Sequence, residues 1–218
     1  MCGRFTQTSS PQRYAEQFGI STHLSHKARY NIAPSTDILA CRVSVDGVKE
    51  LAPLHWGLVP SWSKGPDTRY SMINARAETV ATKPAYRTPF RRRRCLIPAD
   101  GFYEWHAENG KQPYYIHRKD SAPLVFAGLW DHWDDSEGDV IDSCTIIVCE
   151  ANTLMSPIHE RMPVILEPGV FDDWLKSNDM DYLQSLLLSY DVSDLEMYPI
   201  SRAVNSPKND RAELLERI

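Results

Sequence analysis

The chain opens Met1-Cys2-Gly3-Arg4-Phe5, and the second residue is small enough for Met1 to be removed. The mature chain is then expected to begin with a cysteine whose α-amine stands beside its thiol, a 1,2-aminothiol that no internal residue reproduces. Ordinary pKa values of about 7.7–8.0 for the amine and about 8.5 for the thiol leave both nucleophiles partly available at neutral pH. The amine condenses with an aldehyde to a Schiff base, and the adjacent thiolate closes a five-membered thiazolidine. A terminal cysteine also acts as nucleophile and base on an amide. The plain alternative is an accidental cysteine in a frayed terminus.

Three internal segments carry polar residues that could serve such a group. In an extended segment over residues 72–78, Asn74, Arg76 and Glu78 share one face, alternating with Ile73, Ala75 and Ala77. An amide, a guanidinium and a carboxylate so aligned can hold a nucleophile and a phosphate; cross-strand pairs would satisfy the same face. Glu104 lies in the aromatic run Phe102-Tyr103-Glu104-Trp105, where desolvation raises a carboxyl pKa toward that of a useful general acid. A structural pair with an arginine is its alternative. His159 follows Pro157 and precedes an apolar run, a loop-end position suited to a cleft. Its segment is not the zinc-protease H-E-x-x-H, because Pro163 stands where the second His would be. Arg161 serves a phosphate or pairs with Glu160. The polar stretch 201–210, with Asn205, Lys208 and Asn209, suits backbone phosphates and suits an ordinary surface loop equally.

The elements that must position these residues are many and short. Ser9-Ser10-Pro11 followed by Tyr14, Phe18 and Gly19 reads as a capped helix. Residues 38–45 and 48–58 flank Asp46-Gly47, the strongest hairpin signal in the chain. Strands are expected at 95–97, 102–105, 113–117, 124–130, 144–149 and 162–166, with a turn through Glu108-Asn109-Gly110. Helical spacing marks 170–176, 180–188 and a last turn at 212–218. A short helix at 79–87 is interrupted by Pro84. No repeat, low-complexity stretch or linker appears. The expectation is one α+β domain over residues 1–218, a curved and mainly antiparallel sheet or pseudo-barrel with short peripheral helices.

With 42% apolar and 24% charged residues the composition is that of a soluble globular protein. No stretch is apolar enough to span a bilayer and the polar start is no signal peptide, so no membrane partner and an intracellular, cytoplasmic location are expected. The five cysteines are odd in number and irregularly spaced, without C-x-x-C, which argues against a disulfide framework or a zinc knuckle. Cys144 and Cys149, five apart on one strand, should face opposite ways. No metal-ligand cluster or cofactor motif is present, and none is expected. A net charge of −5 argues against coating duplex nucleic acid by bulk charge, though not against a local basic groove. Arginines cluster at Arg87 and Arg91–Arg94, and acids dominate 131–142 and 172–194. A run of four arginines is usually a solvated or salt-bridged surface.

Together the segments resemble the SRAP family, the SOS-response-associated-peptidase or abasic-site-processing proteins. The likeness covers nearly the whole chain. It rests on Met1-Cys2-Gly3-Arg4-Phe5, Tyr30-Asn31-Ile32-Ala33-Pro34, His55-Trp56-Gly57-Leu58-Val59-Pro60 and Ile73-Asn74-Ala75-Arg76-Ala77-Glu78. The remaining blocks are residues 93–105, Ile158-His159-Glu160-Arg161-Met162-Pro163, and Val204-Asn205 with Lys208-Asn209. Each is weak alone, and their order and completeness carry the assignment. The Arg91–Arg94 run and the Ser61-Trp62-Ser63 loop are local variants.

The resemblance implies a self-processing peptidase for Met1 that binds single-stranded DNA containing abasic sites and traps the lesion through Cys2, with lyase-type chemistry. It implies that Asn74 holds the terminal cysteine and the sugar, that Glu104 assists ring opening, and that His159 shuttles protons. Arg4, Arg76 and Arg161 match phosphate-gripping positions. Trp62 and the loop around Pro34 match stacking or wedging elements, and Asn205, Lys208 and Asn209 match the DNA-facing loop. A monomer is expected, with replication or repair proteins as further partners. Two other classes compete: an N-terminal-nucleophile or Cys-His thiol peptidase or amidohydrolase, and a single-strand-binding module whose Cys2 is incidental.

Overall fold

Asp46-Gly47 turns the chain as the sequence predicts, with Gly47 at φ +79° and Ser44 N–H bonded to the Val48 carbonyl at 2.8 Å. The computed structural model describes residues 2–44, 46–66, 72–106, 110–135 and 137–218. Its strands and helices in chain order are β1 (Phe5–Gln7), α1 (Pro11–Gln17), β2 (Arg29–Ile32), β3 (Asp37–Val43), β4 (Lys49–Trp56), β5 (Asn74–Arg76), α2 (Pro84–Arg92), β6 (Arg94–Ala99) and β7 (Gly101–His106). There follow β8 (Gln112–Arg118), β9 (Leu124–Asp134), β10 (Val140–Glu150), β11 (Arg161–Pro163), α3 (Phe171–Lys176), α4 (Met180–Ser185) and β12 (Leu195–Pro199). The end of the chain forms single 3₁₀ turns at Arg202–Asn205 and Ala212–Leu215.

The fold is α+β. Strands β10, β4, β3, β6 and β9 close into a ring, because β9 pairs with both β6 and β10. A second sheet, in the order β12-β8-β7-β1-β2, is antiparallel throughout. The expected mainly antiparallel pairing holds, with two parallel contacts of β10, to β4 and to β5. Phe5 joins the two bodies: its ring meets Trp56 of β4 at 5.1 Å and Phe126 of β9 at 5.9 Å, both edge to face. Phe102 of β7 adds an edge contact to Phe126 at 5.9 Å. Burying each such side chain stabilises the fold by about 1.5–3 kcal/mol. This is what draws the start of the chain inward.

A second anchor is polar. Asp100, between β6 and β7, accepts from the backbone N–H of Thr8 and Ser9 and from the hydroxyls of Ser9 and Tyr14. One carboxylate therefore fixes the junction of β1 and α1. Helix α1 is capped as expected, the Ser10 hydroxyl accepting from Arg13 N–H at 3.2 Å with Pro11 in the first turn.

Two expectations are corrected. Pro84 starts α2 instead of interrupting a helix, since a proline lacks only an N–H that the first turn leaves unused. The four arginines are also not one surface. Arg91 and Arg92 are exposed at the end of α2, whereas Arg93 pairs with buried Asp131 at 2.8 Å. Arg94 is buried and donates to the carbonyls of Phe90, Trp174, Leu175 and Ser177. Burial pulls its pKa down to about 10. All five cysteines are free and buried. The expected turn through Glu108-Asn109 lies outside the described residues. No helix among the described residues is long and apolar enough to cross a membrane.

Candidate active site

Cys2 is fully buried just ahead of β1. Two neighbouring strands place functional groups against it. On β7, Phe102 lies opposite Phe5 and Tyr103 N–H bonds to the Arg4 carbonyl at 3.0 Å, so Glu104 runs alongside the residues that precede Phe5. Glu104 is itself buried, at 5% exposure. On β5, Asn74 sits opposite Ile146 of β10 and donates its side-chain amide to the Cys2 carbonyl at 2.9 Å. The Tyr86 hydroxyl of α2 donates to the Asn74 carbonyl at 3.3 Å. The Asn74 Oδ1 is buried and has no hydrogen-bond partner among the described residues.

The thiol is held neutral. Burial, and after it the charge of Glu104, push the Cys2 pKa far above its ordinary value, while its Sγ lies 4.0 Å from the Arg4 carbonyl. A proton acceptor is therefore needed before this sulfur can attack.

His159 stands half-buried in the connection from β10 to β11. Its Nδ1 accepts from Arg161 N–H at 2.9 Å, which leaves the proton of a neutral ring on Nε2. The connection is held by Asn152, whose Oδ1 accepts from Met155 N–H at 3.0 Å and whose Nδ2 donates to the Tyr190 carbonyl at 2.9 Å.

Arg76 and Arg161 flank one end of β10, opposite Val148 and Glu150 respectively. Asn74 and Arg76 share a strand face with Ala75 buried between them, as the alternation predicts. Glu78 lies beyond the strand in a turn and pairs with Arg161, not leaving that arginine to Glu160. Partial burial acts to raise the Glu78 pKa, but the Arg161 hydrogen bond and the charges of Arg161 and Arg76 outweigh it and the net shift is downward.

Trp62 is 66% exposed on the segment after β4. That segment is pinned on both sides of the indole. Asp131 Oδ2 accepts from Ser61 N–H at 3.0 Å, and Trp133 Nε1 donates to the Ser63 carbonyl at 3.0 Å. Pro34 is half-buried in the loop after β2, followed by Ser35 at φ +63°.

Arg4 is turned toward the far end of the chain. It donates to Asn31 Oδ1 at 2.8 Å and to the Val204 carbonyl at 3.1 Å, with the Asn205 carbonyl at 3.5 Å. Asn205 accepts from Trp105 Nε1 at 2.7 Å, Asn209 donates to the Ala203 carbonyl at 2.7 Å, and Lys208 is exposed. The geometry thus gathers Cys2, Asn74 and Glu104 at one point, Arg76, Glu78 and Arg161 at a second, and Arg4 with the 201–210 loop at a third. Among the described residues no three His, Cys, Asp or Glu side chains are grouped to hold a metal.

This arrangement has relatives. The profile of the family described as SOS response associated peptidase (SRAP) matches residues 1–207. The chain belongs to the SRAP family. It is 47% identical over 223 aligned residues to the abasic site processing protein YoaM of Bacillus subtilis, covering 99% of this chain and 98% of that one. It is 46% identical over 223 to the abasic site processing protein YoqW of the same organism, covering 99% of each. A crystal structure of a protein from Bacteroides thetaiotaomicron superposes with a TM-score of 0.89 at 26% identity over all of both chains. In this SRAP protein Asn31, Asp131 and Tyr86 also bond to these groups or to the segments that carry them. In the sequence Asn31 is visible only as a member of the Tyr30–Pro34 block, and the other two carry no local signal.

Proposed function

We propose that this SRAP protein processes abasic sites in single-stranded DNA, crosslinking the opened deoxyribose to Cys2 once Met1 has been removed. The observation that carries the reading is a fully buried Cys2, held through its carbonyl by Asn74 and under the charge of Glu104. An accidental cysteine in a frayed end would have none of these.

An abasic sugar is an aldehyde in equilibrium with its closed hemiacetal, and opening it requires proton transfer. Glu104, buried on the strand beside the start of the chain, is assigned the movement of that proton. The α-amine of Cys2 adds to the aldehyde carbon, and loss of one water gives a Schiff base. The thiol then adds across the C=N bond: sulfur bonds to carbon, and the thiol proton ends on nitrogen. Since burial keeps the sulfur protonated, the acceptor must sit beside it, and Glu104 is that neighbour. His159, with its proton on Nε2, serves as the shuttle in forming or reversing the Schiff base. Closure of the thiazolidine removes the iminium that would otherwise drive β-elimination and strand cleavage. Asn74 Oδ1 offers the acceptor that the freed α-amine needs.

Arg76 and Arg161 supply cations for phosphates beside the lesion, and Trp62 a face for stacking. Contacts of this kind read backbone and shape, so little dependence on base sequence is expected.

The test is intact-mass analysis of the processed chain before and after incubation with single-stranded DNA carrying one abasic site. A heat-stable adduct of DNA mass minus one water is expected, and Cys2→Ala should abolish it. Stable adducts in that variant overturn the thiazolidine. Turnover of an amide without DNA moves the assignment to a thiol hydrolase.

A further inference from the structure

We infer that Asn31 is a positioning residue for Cys2, coupling the 201–210 loop to the strand that delivers the nucleophile. The inference rests on the crosslinking reading above. Asn31 is buried at 4% exposure in β2, next to β1 in the sheet. Its oxygen accepts from Arg4, two residues after Cys2. Its amide nitrogen lies 3.1, 3.0 and 2.8 Å from the carbonyls of Val204, Ser206 and Asn209. An amide nitrogen has two hydrogens, so three carbonyls share them and the loop is wrapped around one side chain. Asp210 completes the wrap by accepting from the backbone N–H of Tyr30 and Asn31.

Arg4 and Asn31 both bond the Val204 carbonyl. The loop is therefore tied to β2 by Asn31, to the start of β1 by Arg4, and to β7 by the Trp105–Asn205 bond. These are three adjacent strands with β1 in the middle. Outward, the same loop exposes Asn205 and Lys208. A phosphate backbone seated on that face loads the carbonyls that hold Arg4, and so fixes the main chain at Cys2. Asn31 does this without touching substrate.

The test uses Asn31→Asp in the full processed chain. Aspartate keeps an acceptor for Arg4 and removes the donors to the three carbonyls. Two rates are compared with wild type: adduct formation at saturating abasic single-stranded DNA, and reaction of Cys2 with 2-cyanobenzothiazole, a small reagent for terminal 1,2-aminothiols. Loss of one or two hydrogen bonds that orient the nucleophile should slow adduct formation about tenfold. The small reagent should react about fivefold faster, because a loosened Cys2 gains access as it loses geometry. Exposed Asp210→Ala should move both rates in the same opposed sense by smaller factors, and it decides the matter if Asn31→Asp fails to fold. Unchanged rates, or rates that fall together, overturn the inference. A wild-type chain that reacts with the reagent but forms no DNA adduct overturns the crosslinking reading instead, and the reagent rates then decide on Asn31 alone.

Discussion

The side-chain amide of Asn74 donates to the Cys2 carbonyl at 2.9 Å, while the oxygen of the same amide is buried with no hydrogen-bond partner among the described residues. A buried acceptor without a donor costs about 1–3 kcal/mol. The α-amine exposed by loss of Met1 would relieve that cost, because it creates new N–H donors on the residue Asn74 already holds. Precursor and processed chain then differ in how firmly Cys2 is seated.

Asn74→Leu keeps the shape and removes the bond to the Cys2 carbonyl together with the acceptor offered to the freed α-amine. It should slow adduct formation at saturating DNA by about 10- to 100-fold, the equivalent of one to two hydrogen bonds at the reacting group. The affinity for unmodified single-stranded DNA should stay within about twofold. Single-turnover gel assays with titrated enzyme separate the two quantities. An adduct rate equal to wild type would remove Asn74 from the site.

Glu78 restrains Arg161, and the charge of Arg76 also acts on the same carboxylate. Replacing Glu78 by Gln should strengthen binding of unmodified single strands, since it removes the internal anion that competes with phosphate. Arg76→Gln should weaken binding and lower the slope of log K against log salt by about 0.7, the value for one lost contact to a single strand. Fluorescence anisotropy across a salt series reads both. A slope unmoved by Arg76→Gln would place the strand elsewhere.

The five buried thiols make stability fall at alkaline pH. Burial, the leading cause in each case, raises Cys41 to about 12 and Cys149 to about 11 and lifts Cys2, Cys95 and Cys144 well above the ordinary thiol value. Unfolded thiols ionise at about pH 8.5. Above that pH the unfolded chain has lost protons that the folded chain keeps, so stability declines with rising pH. Each thiol adds a slope of up to about 1.4 kcal/mol per pH unit. Urea midpoints in reductant at pH 8, 9 and 10 should therefore drop progressively, and Cys95→Ser should flatten the drop. A midpoint constant over that range would mean the thiols are solvated in the folded state.

Local chemistry was readable where the signal was local. Ser10-Pro11 marks the start of α1, Asp46-Gly47 marks the hairpin, and the alternation of Asn74, Ala75 and Arg76 gives the face of β5. Pro84 is ambiguous in the sequence because the same ring breaks a helix interior and favours its first turn. The Arg91–Arg94 run looked uniform, yet Asp131 and the carbonyls at 174–177 sort it into exposed and buried members. Asn31 was hidden for the same reason: its partner Asn209 lies 178 residues away, and no window of sequence joins them.

The same dependence on distant partners explains Gly101, which follows Asp100 in the sequence. Gly101 begins β7, opposite Thr6 of β1, and a Cβ there would run into the ring of Tyr115 and lie 2.7 Å from the Ile116 carbonyl on β8. Tyr115 has little room to retreat, because its hydroxyl is bonded to Thr6 Oγ1 at 3.1 Å and its ring packs against Tyr103 and Tyr198. The glycine is thus required by close approach of two strands. Gly101→Ala should destabilise the protein by about 1–3 kcal/mol through overpacking. Because β1 pairs with β7 here, Cys2 should also become more accessible to a thiol reagent in the folded variant. Thermal melts measure the first effect, and alkylation rates below the melting range measure the second. A variant with wild-type melting and wild-type alkylation would show that β8 moves aside freely, and that β1 takes its position from Asp100 and Phe5 alone.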